Sequence, residues 1–509
     1  MTEVLSVDPR TGATVEIVAT ATTTAEVDEA CRLAADATDA LEALGRDGRA
    51  ALLDALADAL EAQRTEIVAV ADRETALGAT RLGGELTRTC YQLSLFADAV
   101  REGSYLEATV DHADDTPMGP RPDLRRLLVP IGPVAVFGAS NFPLAFSVPG
   151  GDTASALAAG CPVVVKAHES HPATAQLCFD LIDAAARQAG APAGTIGIVH
   201  GRQAGADLVA HPAIRAAGFT GSTAGAQALL AIINRRPDPI PFYGELSSLN
   251  PLIVTPAAAA DRAASIGSEL VASFTLGAGQ FCTKPGLAFV PTGPDGDLLV
   301  ASMQRAVSVT AEMTALNDRI AAGYHEGATR LSEAAAVAPI ASGRSGTNGG
   351  FRVSPLLLTT TAADLPREAT EELFGPVAVV ARYRDEHELL AAIDVLPSSL
   401  TATIHRGPDE TALPARLSRR LRSRVGRLIY DGYPTGVAVS WAQHHGGPWP
   451  ATNTQHTSVG ATAVRRFLRP VTWQNAPQEI LPAELRDGFD SIPRRLDGVL
   501  HTPGPCGVR

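Results

Sequence analysis

The cysteine at position 282 has the sequence surroundings of a nucleophile. Cys282 lies in GAGQFCTKPG, where the flanking glycines let a ligand approach the backbone closely. A thiol in such a turn can meet aligned backbone N–H groups, which favour the reactive thiolate. Most single cysteines are inert and simply fill space, so this segment alone leaves both a catalytic and a structural interpretation open.

Three polar residues at the ends of predicted elements could assist a nucleophile. Glu245 follows the strand-like PIPFYG and could act on water as a general base. Asn141, in ASNFP, could donate its amide N–H to a developing oxyanion. Lys166 ends the apolar run CPVVVKAH, at the strand end where α/β folds bind ligands. Each also has an ordinary interpretation, namely a solvated acid, a turn residue before Pro143 and a solvated amine.

The elements that must position these residues alternate along the chain. Short β-rich runs such as VAVFGA and PVVVKAH are followed by Ala-rich helical runs such as ATAQLCFDLIDAAARQAG. This alternation predicts parallel sheets with crossover helices. A second alternating stretch covers about residues 250–460, and the β-like segment VRRFLRPVTWQ follows it. We therefore expect two α/β domains with small appendages.

Composition favours a large enzyme and argues against several other classes. The 509 residues exceed what one hydrophobic core usually supports. The formal charge of −13 argues against a nucleic-acid-binding surface. The first residues carry no secretory signal, and the most apolar stretch, residues 134–150, is too short and interrupted to span a membrane. We expect a cytoplasmic protein with neither a nucleic-acid nor a membrane partner.

No metal site is predicted from the cysteines or histidines. The six cysteines are widely spaced without a C-x-x-C pair, so we expect reduced thiols rather than disulfides or a zinc site. His168, Glu169 and His171 lie too close together for a helical zinc pair. The sequence also lacks G-x-G-x-x-G, Walker A, H-E-x-x-H and G-x-S-x-G signatures.

Taken in order, segments across nearly the whole chain resemble those of the aldehyde dehydrogenase superfamily. They are FGASNFP, VVVKAHE, FTGSTAG, YGELSSLNP, GQFCTKPG, EELFGPV and YPTGV followed by HHGGP. Longer stretches, such as ASNFPLAFSVPGGDTASALAAGCPVVVKAH, resemble the α-ketoglutaric semialdehyde (2,5-dioxopentanoate) dehydrogenase branch. Two departures stand out: Ser140 replaces the usual Trp before the catalytic Asn, and ELSS replaces the usual E-L-G-G.

The resemblance implies NAD(P)-dependent oxidation of α-ketoglutaric semialdehyde to 2-oxoglutarate. Cys282 would attack the aldehyde, Asn141 and the Cys282 N–H would hold the oxyanion, and Glu245 would activate water to hydrolyse the thioester. The alternatives are a broad-specificity or long-chain aliphatic aldehyde dehydrogenase and, from another class, a cofactor-independent thioester or ester hydrolase. A protein that binds the cofactor without turnover is a third possibility.

Five residues match family positions along the cofactor. Lys166 and Glu372 resemble the residues that hold the two riboses, and Phe374 would lie beside the nicotinamide ring. Gly221 and Ser222 resemble the turn at a helix start that faces the pyrophosphate. The resemblance therefore implies NAD or NADP as the cofactor.

The choice between NAD and NADP depends on one acidic residue and on the basic residues around it. Glu169 could accept hydrogen bonds from a ribose 2′-hydroxyl, which favours NAD and repels a 2′-phosphate. Lys166, His168 and Arg202 could offset that phosphate, and NADP-preferring members of the family use a basic residue near Arg202. The sequence leaves the preference open.

The substrate of this branch has its own carboxylate, which calls for a cation at the far end of the pocket. Arg121, Arg125 and Arg126, in PRPDLRR, are candidates. A surface strand with solvated arginines is the better interpretation, so none of them is assigned.

The resemblance also implies a fold and an assembly. The fold is α/β, with a Rossmann-like cofactor domain, an α/β catalytic domain and a small β oligomerisation extension. The predicted boundaries are residues 1–110 and 131–243 for the cofactor domain, 244–460 for the catalytic domain, 111–130 and 461–475 for the extension, and 476–509 for a C-terminal tail. Because the family assembles through this extension, we expect a homodimer or homotetramer.

Overall fold

The computed structural model of the chain describes residues 2–346 and 349–503. Within these ranges, the α-helices are Thr24–Ala43 (α1), Gly45–Ala62 (α2), Arg64–Thr75 (α3), Ala79–Glu102 (α4), Gly151–Ala159 (α5), Pro172–Gln188 (α6), Arg202–Ala210 (α7), Thr223–Ile233 (α8), Pro256–Thr275 (α9), Pro294–Val309 (α10), Asp318–Ser332 (α11), Glu386–Asp394 (α12) and Ala412–Leu421 (α13). None of these helices has the length and apolar character needed to cross a membrane.

The β-strands of the same ranges fall into several sheets. They are Glu3–Asp8 (β1), Ala13–Thr20 (β2), Thr109–Asp111 (β3), Asp114–Thr116 (β4), Gly119–Arg121 (β5), Leu124–Pro130 (β6), Val134–Phe137 (β7), Val163–Lys166 (β8), Ile196–Val199 (β9), Ala216–Thr220 (β10), Phe242–Glu245 (β11), Leu252–Val254 (β12), Leu287–Pro291 (β13), Met313–Thr314 (β14), Ala338–Ser342 (β15), Arg352–Val353 (β16), Leu356–Thr361 (β17), Val377–Tyr383 (β18), Ser399–His405 (β19), Val425–Tyr430 (β20), Leu468–Gln474 (β21), Arg494–Leu496 (β22) and Val499–His501 (β23).

The first large sheet is parallel and has the strand order β9-β8-β7-β10-β11. Helices α5 to α8 connect its successive strands. This is the doubly wound order of a Rossmann-like domain, with the switch point between β7 and β10. Every residue of β7 and β8 is buried, as expected when helices cover both faces of a parallel sheet. The predicted Rossmann-like fold is confirmed.

The carboxyl ends of this sheet bring predicted site residues to one edge. Lys166 and Glu245 are the last residues of β8 and β11. Ser222 follows β10, Arg202 opens the helix after β9, and Asn141 lies just beyond β7. Parallel strands end on the same side of a sheet, so residues from distant parts of the chain meet at this edge.

The second large sheet has seven strands in the order β15-β17-β18-β13-β12-β19-β20. All neighbouring pairs are parallel except β15 with β17. Cys282 lies in the connection before β13, Glu372 and Phe374 precede β18, and His445 follows β20. The second sheet therefore contributes a second set of loops toward the edge of the first.

A third sheet joins distant segments in the order β21-β6-β3-β22-β23. Strand β21 pairs antiparallel with β6 over its whole length, from Leu468 opposite Pro130 to Gln474 opposite Leu124. The segment after residue 475, predicted as a polar tail, supplies β22 and β23 to this sheet. The last predicted tail residues, 504–509, and with them Cys506, lie outside the described residues. The domain boundaries stay a prediction.

The candidate arginines of β5 and β6 lie in or beside this third sheet, away from the predicted site. The interpretation of Arg125 as solvated is wrong. Its side chain is buried, pairs with Asp123 at 2.9 Å and Asp487 at 2.7 Å, and donates to the Leu485 carbonyl. The reason is the returning C-terminal segment, which brings Asp487 and Leu485 over the strand.

Candidate active site

A cavity of about 790 Å³ opens between the carboxyl edge of the first sheet and the loops of the second. Nine of the ten predicted site residues line it, namely Asn141, Glu169, Arg202, Gly221, Ser222, Glu245, Cys282, Glu372 and Phe374. The tenth, Lys166, is buried beside it, with its Nζ 2.5 Å from Glu169. The structure thus brings together residues predicted from seven separate segments.

Glycine and an asparagine fix the loop that carries Cys282. Gly279 has a φ of +66°, and a Cβ there would lie 2.2 Å from the Gly375 carbonyl oxygen. Only glycine permits both the backbone conformation and this close approach. The buried Asn250 donates through Nδ2 to the carbonyls of Cys282 at 2.7 Å and Lys284 at 3.0 Å. The loop is therefore held on both sides of the thiol.

The Cys282 thiol lies beside a buried histidine–carboxylate pair. Its Sγ is 3.6 Å from Nε2 of His445, and the same nitrogen is 2.8 Å from Oε1 of Glu245. The other carboxylate oxygen accepts a 2.8 Å hydrogen bond from Ser458. The sulfur, the imidazole nitrogen and a carboxylate oxygen all lie within 4.8 Å of one another. The arrangement can move a proton between the thiol and a base. Absence of a resident metal stays a prediction.

Charges in this group set its protonation. Burial raises the pKa of Glu245, but the interaction with His445 and hydrogen bonds from His445, Cys282 and Ser458 outweigh burial and bring the pKa to about 2. Burial and the Glu245 carboxylate raise the pKa of the Cys282 thiol well above its ordinary value. The expected thiolate-favouring turn is therefore wrong for this arrangement. Cys282 rests as a thiol and must give up its proton to react.

Asn141 is joined to the cysteine loop. Its Nδ2 donates to the Gln280 carbonyl at 2.9 Å. An amide nitrogen carries two hydrogens, so one remains for a substrate oxygen. Gln280 is itself fixed, because its Oε1 accepts from the Leu316 N–H at 2.9 Å. The oxyanion donor is thus hydrogen-bonded to the loop that carries the nucleophile.

The start of helix α8 faces the cavity. Ser222 caps this helix, its Oγ accepting from the Gly225 N–H at 3.2 Å. The N–H of Gly221 donates to the Glu245 carbonyl at 3.0 Å, which ties the turn to the base. The first N–H groups of an α-helix and its dipole favour a phosphate at this position.

The adenosine side carries a paired acid and base. Burial lowers the pKa of Lys166, and the adjacent Glu169 opposes this change. Burial acts to raise the pKa of Glu169, but Lys166, His168 and a backbone hydrogen bond together outweigh burial and lower the pKa, so the carboxylate is ionised. Arg202 lines the same part of the cavity. The negative Glu169 and the positive Arg202 both lie at the adenosine side of the site, so the preference between NAD and NADP stays open.

A buried lysine supports the nicotinamide side. Lys284 Nζ donates to the carbonyls of Leu373 at 3.0 Å and Val377 at 2.9 Å. Burial raises the pKa of Glu372, which lies in the segment so held, and Lys284 opposes that rise. Lys284 therefore joins the cysteine loop to the segment that carries Glu372 and Phe374. These donor groups, with the helix start and the open cavity, fit a dinucleotide.

Comparison with known proteins agrees with this site. The profile of the aldehyde dehydrogenase family matches residues 2–447. The chain belongs to the aldehyde dehydrogenase family. It is 46% identical to α-ketoglutaric semialdehyde dehydrogenase 2 of Azospirillum brasilense, over 93% of this chain and 91% of that protein. It is 42% identical to the α-ketoglutaric semialdehyde dehydrogenase of Acinetobacter baylyi, again over 93% and 91%.

Solved structures share the aldehyde dehydrogenase fold. The NAD⁺ complex of an aldehyde dehydrogenase from Bacillus cereus has a TM-score of 0.79 at 20% identity, covering 93% of both chains. The 3,6-anhydro-L-galactose dehydrogenase in complex with NAP has a TM-score of 0.79 at 21% identity, covering 92% of this chain and 95% of that one. As a family member, this chain is an NAD(P)-dependent aldehyde oxidoreductase.

Sequence reasoning missed two residues of this aldehyde dehydrogenase site. His445 was present only as part of the family segment HHGGP, with no separate role assigned. Lys284 was present only as part of GQFCTKPG. The available signal was the same in both cases, a charged or titratable side chain within two residues of a glycine inside a matched segment.

The ELSS departure from the family pattern has a structural explanation. Ser247 donates a hydrogen bond to the Glu372 carboxylate, which helps to lower the pKa of that group. Ser248 accepts from the Leu400 N–H at 2.8 Å and donates to Asn250 at 2.7 Å. The two serines thus link the segment that carries Glu245 to Glu372 and to strand β19.

Proposed function

We propose that this enzyme oxidises α-ketoglutaric semialdehyde to 2-oxoglutarate, with NAD⁺ or NADP⁺ as acceptor. The observation that carries the proposal is the identity of 46% and 42%, over 93% of the chain, to two proteins named for this activity. The placement of Cys282, His445 and Glu245 at the cavity supports a cysteine mechanism.

The first step forms a bond between sulfur and carbon. As Sγ of Cys282 attacks the aldehyde carbon, its proton passes to the His445–Glu245 pair. The carbonyl oxygen becomes an oxyanion, which accepts hydrogen bonds from the free N–H of Asn141 and the backbone N–H of Cys282. Each such donor stabilises the transition state by about 3 kcal/mol. The product is a thiohemiacetal on Cys282.

The second half of the reaction removes a hydride and then cleaves the thioester. A bound nicotinamide would supply the acceptor for the hydride of the thiohemiacetal carbon. The His445–Glu245 pair releases the thiol proton to solvent, and Glu245, through His445, then takes a proton from water, whose oxygen attacks the thioester carbonyl. The carbon–sulfur bond breaks, the sulfur regains a proton, and the carboxylate product is free to leave.

Seven residues would hold the cofactor. Lys166, Glu169 and Arg202 face the adenosine side, and Gly221 and Ser222 face the pyrophosphate. Glu372 would hold the nicotinamide ribose, and Phe374 would position the ring. Six of them line one cavity and Lys166 lies beside it, which supports these roles.

The test compares substrates and cofactors with purified enzyme. Reduced-nicotinamide absorbance is followed with α-ketoglutaric semialdehyde and with hexanal, each with NAD⁺ and with NADP⁺. We expect a higher kcat/KM for the semialdehyde, with turnover abolished in Cys282→Ala. Equal or faster oxidation of hexanal would overturn the substrate assignment and favour a general aliphatic aldehyde dehydrogenase. Full activity in Cys282→Ala would overturn the mechanism.

We also propose that the enzyme is a cytoplasmic homodimer or homotetramer whose partner is a small aldehyde, with no role for nucleic acid or membrane. The third sheet supports the assembly, because its edge strand β23 is exposed and carries Val499 and Leu500 at 59% and 58% exposure. Light scattering after size exclusion should give the mass of two or four chains. The mass of one chain would overturn the assembly.

A further inference from the structure

One face of helix α4 packs against the loop that carries the oxyanion donor. Arg81, Glu85 and Arg88 share this face, since they are four and three residues apart. Glu85 accepts from the backbone N–H groups of Leu144 and Ala145 at 2.9 and 3.0 Å. Arg81 donates to the backbone carbonyl of Asn141 at 2.8 Å. The helix is thus fixed to the loop at two of the three positions.

The third position, Arg88, carries a cation without a hydrogen-bond partner. Its Nε and Nη2 are buried, and neither has an acceptor among the described residues. Its guanidinium carbon lies 5.3 Å from the centre of the Phe146 ring, a cation–π contact that leaves the N–H groups free. Burying N–H donors of a cation without acceptors is costly, so such a group calls for a ligand.

The guanidinium of Arg88 lies close to the reacting atoms. The Phe146 ring that it contacts is 6.3 Å from the His445 ring, whose Nε2 is 3.6 Å from Sγ of Cys282. The electrostatic effects agree with this placement, because Arg88 acts to lower the pKa of Cys282, against the larger effect of burial. Arg88 is therefore one aromatic side chain removed from the catalytic group.

A second arginine nearby is already occupied. Arg427 donates to the carbonyls of Gly436 at 2.6 Å and Pro434 at 2.7 Å, so both terminal nitrogens have partners. Its positive charge adds to that of Arg88 without offering a free pair of terminal donors. Of these two arginines, Arg88 is the one that can give the planar, two-pronged contact a carboxylate prefers.

We propose that Arg88 binds the carboxylate of the substrate and thereby selects aldehydes with an anionic far end. The inference rests on the proposed function, since α-ketoglutaric semialdehyde has its carboxylate carbon four carbon–carbon bonds from the aldehyde carbon. The Phe146 ring lies 5.3 Å from the Arg88 guanidinium carbon and 6.3 Å from the ring of His445, which contacts Cys282. Arg88 then gains the acceptor that the chain itself does not supply.

The experiment uses a pair of aldehydes that differ at one end. In 4-oxopentanal, a methyl group replaces the carboxylate of α-ketoglutaric semialdehyde, and the ketone is kept. For Arg88→Gln we expect kcat/KM with the semialdehyde to fall on the order of 100-fold, mainly through KM, while 4-oxopentanal changes less than about threefold. Arg88→Lys should restore part of the loss. Arg101→Gln, an exposed arginine of the same helix, is the control.

Each outcome separates this inference from the proposed function. If the wild-type enzyme does not prefer the semialdehyde to 4-oxopentanal, the proposed substrate is wrong. If the wild type has that preference and Arg88→Gln keeps it, only the role of Arg88 is wrong. An equal loss with both aldehydes would show that Arg88 merely shapes the loop through Phe146, and would also overturn the inference.

Discussion

Nε2 of His445 lies 2.8 Å from the Glu245 carboxylate, in a site where both side chains are almost completely buried. The same nitrogen faces the Cys282 sulfur at 3.6 Å. Glu245 therefore reaches the thiol both as a neighbouring charge and through an imidazole. In this chain the nucleophile Cys282 and the base Glu245 therefore belong, with His445, to one proton-transfer group.

Replacing the imidazole should slow thiol activation. In His445→Gln, the thiol loses a proton acceptor while the amide can still contact Glu245. We expect kcat to fall about 100-fold or more, as for loss of a general base, with little change in cofactor KM. Steady-state kinetics with the aldehyde and the dinucleotide varied in turn measures kcat and both KM values. A variant with wild-type kcat would show that Glu245 acts on Cys282 without His445.

The raised pKa of Cys282 predicts slow alkylation at neutral pH. Iodoacetamide should inactivate the cofactor-free enzyme faster as pH rises, without a plateau at pH 7, because only the thiolate reacts. In Glu245→Gln the carboxylate that raises this pKa is absent, so more thiolate exists and alkylation at pH 7 should be faster. A slower reaction in that variant would contradict the charge argument. Cys282→Ala controls for other thiols.

The buried Lys284 should stabilise both the fold and the cofactor site. Lys284→Met leaves the Leu373 and Val377 carbonyls without their donor and Glu372 without its nearby cation. We expect the free energy of unfolding to drop by about 3 kcal/mol and the cofactor KM to rise. Urea unfolding and kinetics measure the two effects. Lys284→Gln keeps some donor capacity and should lose less. Unchanged stability and KM in Lys284→Met would refute the linking role.

Cofactor preference should respond to the two opposite charges in opposite directions. Glu169→Gln removes a charge that repels a 2′-phosphate and frees Lys166, so the NADP-to-NAD ratio of kcat/KM should rise about tenfold. Arg202→Gln should lower the same ratio by about the same factor. Two shifts in the same direction would contradict the assigned roles.

Much of the fold and of the site could be predicted from the sequence, because local patterns carry it. Strand and helix alternation gave the parallel sheets, and strand ends located Lys166 and Glu245. His445 could not be predicted in this way, since it meets Cys282 across 163 residues of chain without a spacing rule. The raised pKa of the Cys282 thiol could not be predicted either, because it depends on burial in the folded chain and on a carboxylate that is distant in sequence. Arg125 is buried only because the C-terminal segment returns over it.

The most direct test of the central claim is a mass measurement on Glu245→Gln. This variant is mixed with α-ketoglutaric semialdehyde and NAD⁺ or NADP⁺, quenched in acid and digested. With hydrolysis blocked, the peptide that contains Cys282 should carry the mass of a 2-oxoglutaryl thioester. The adduct should be absent when the dinucleotide is left out. It should also be absent in the double variant that carries both Cys282→Ala and Glu245→Gln. An unmodified Cys282 peptide alongside continued formation of reduced nicotinamide would contradict the account.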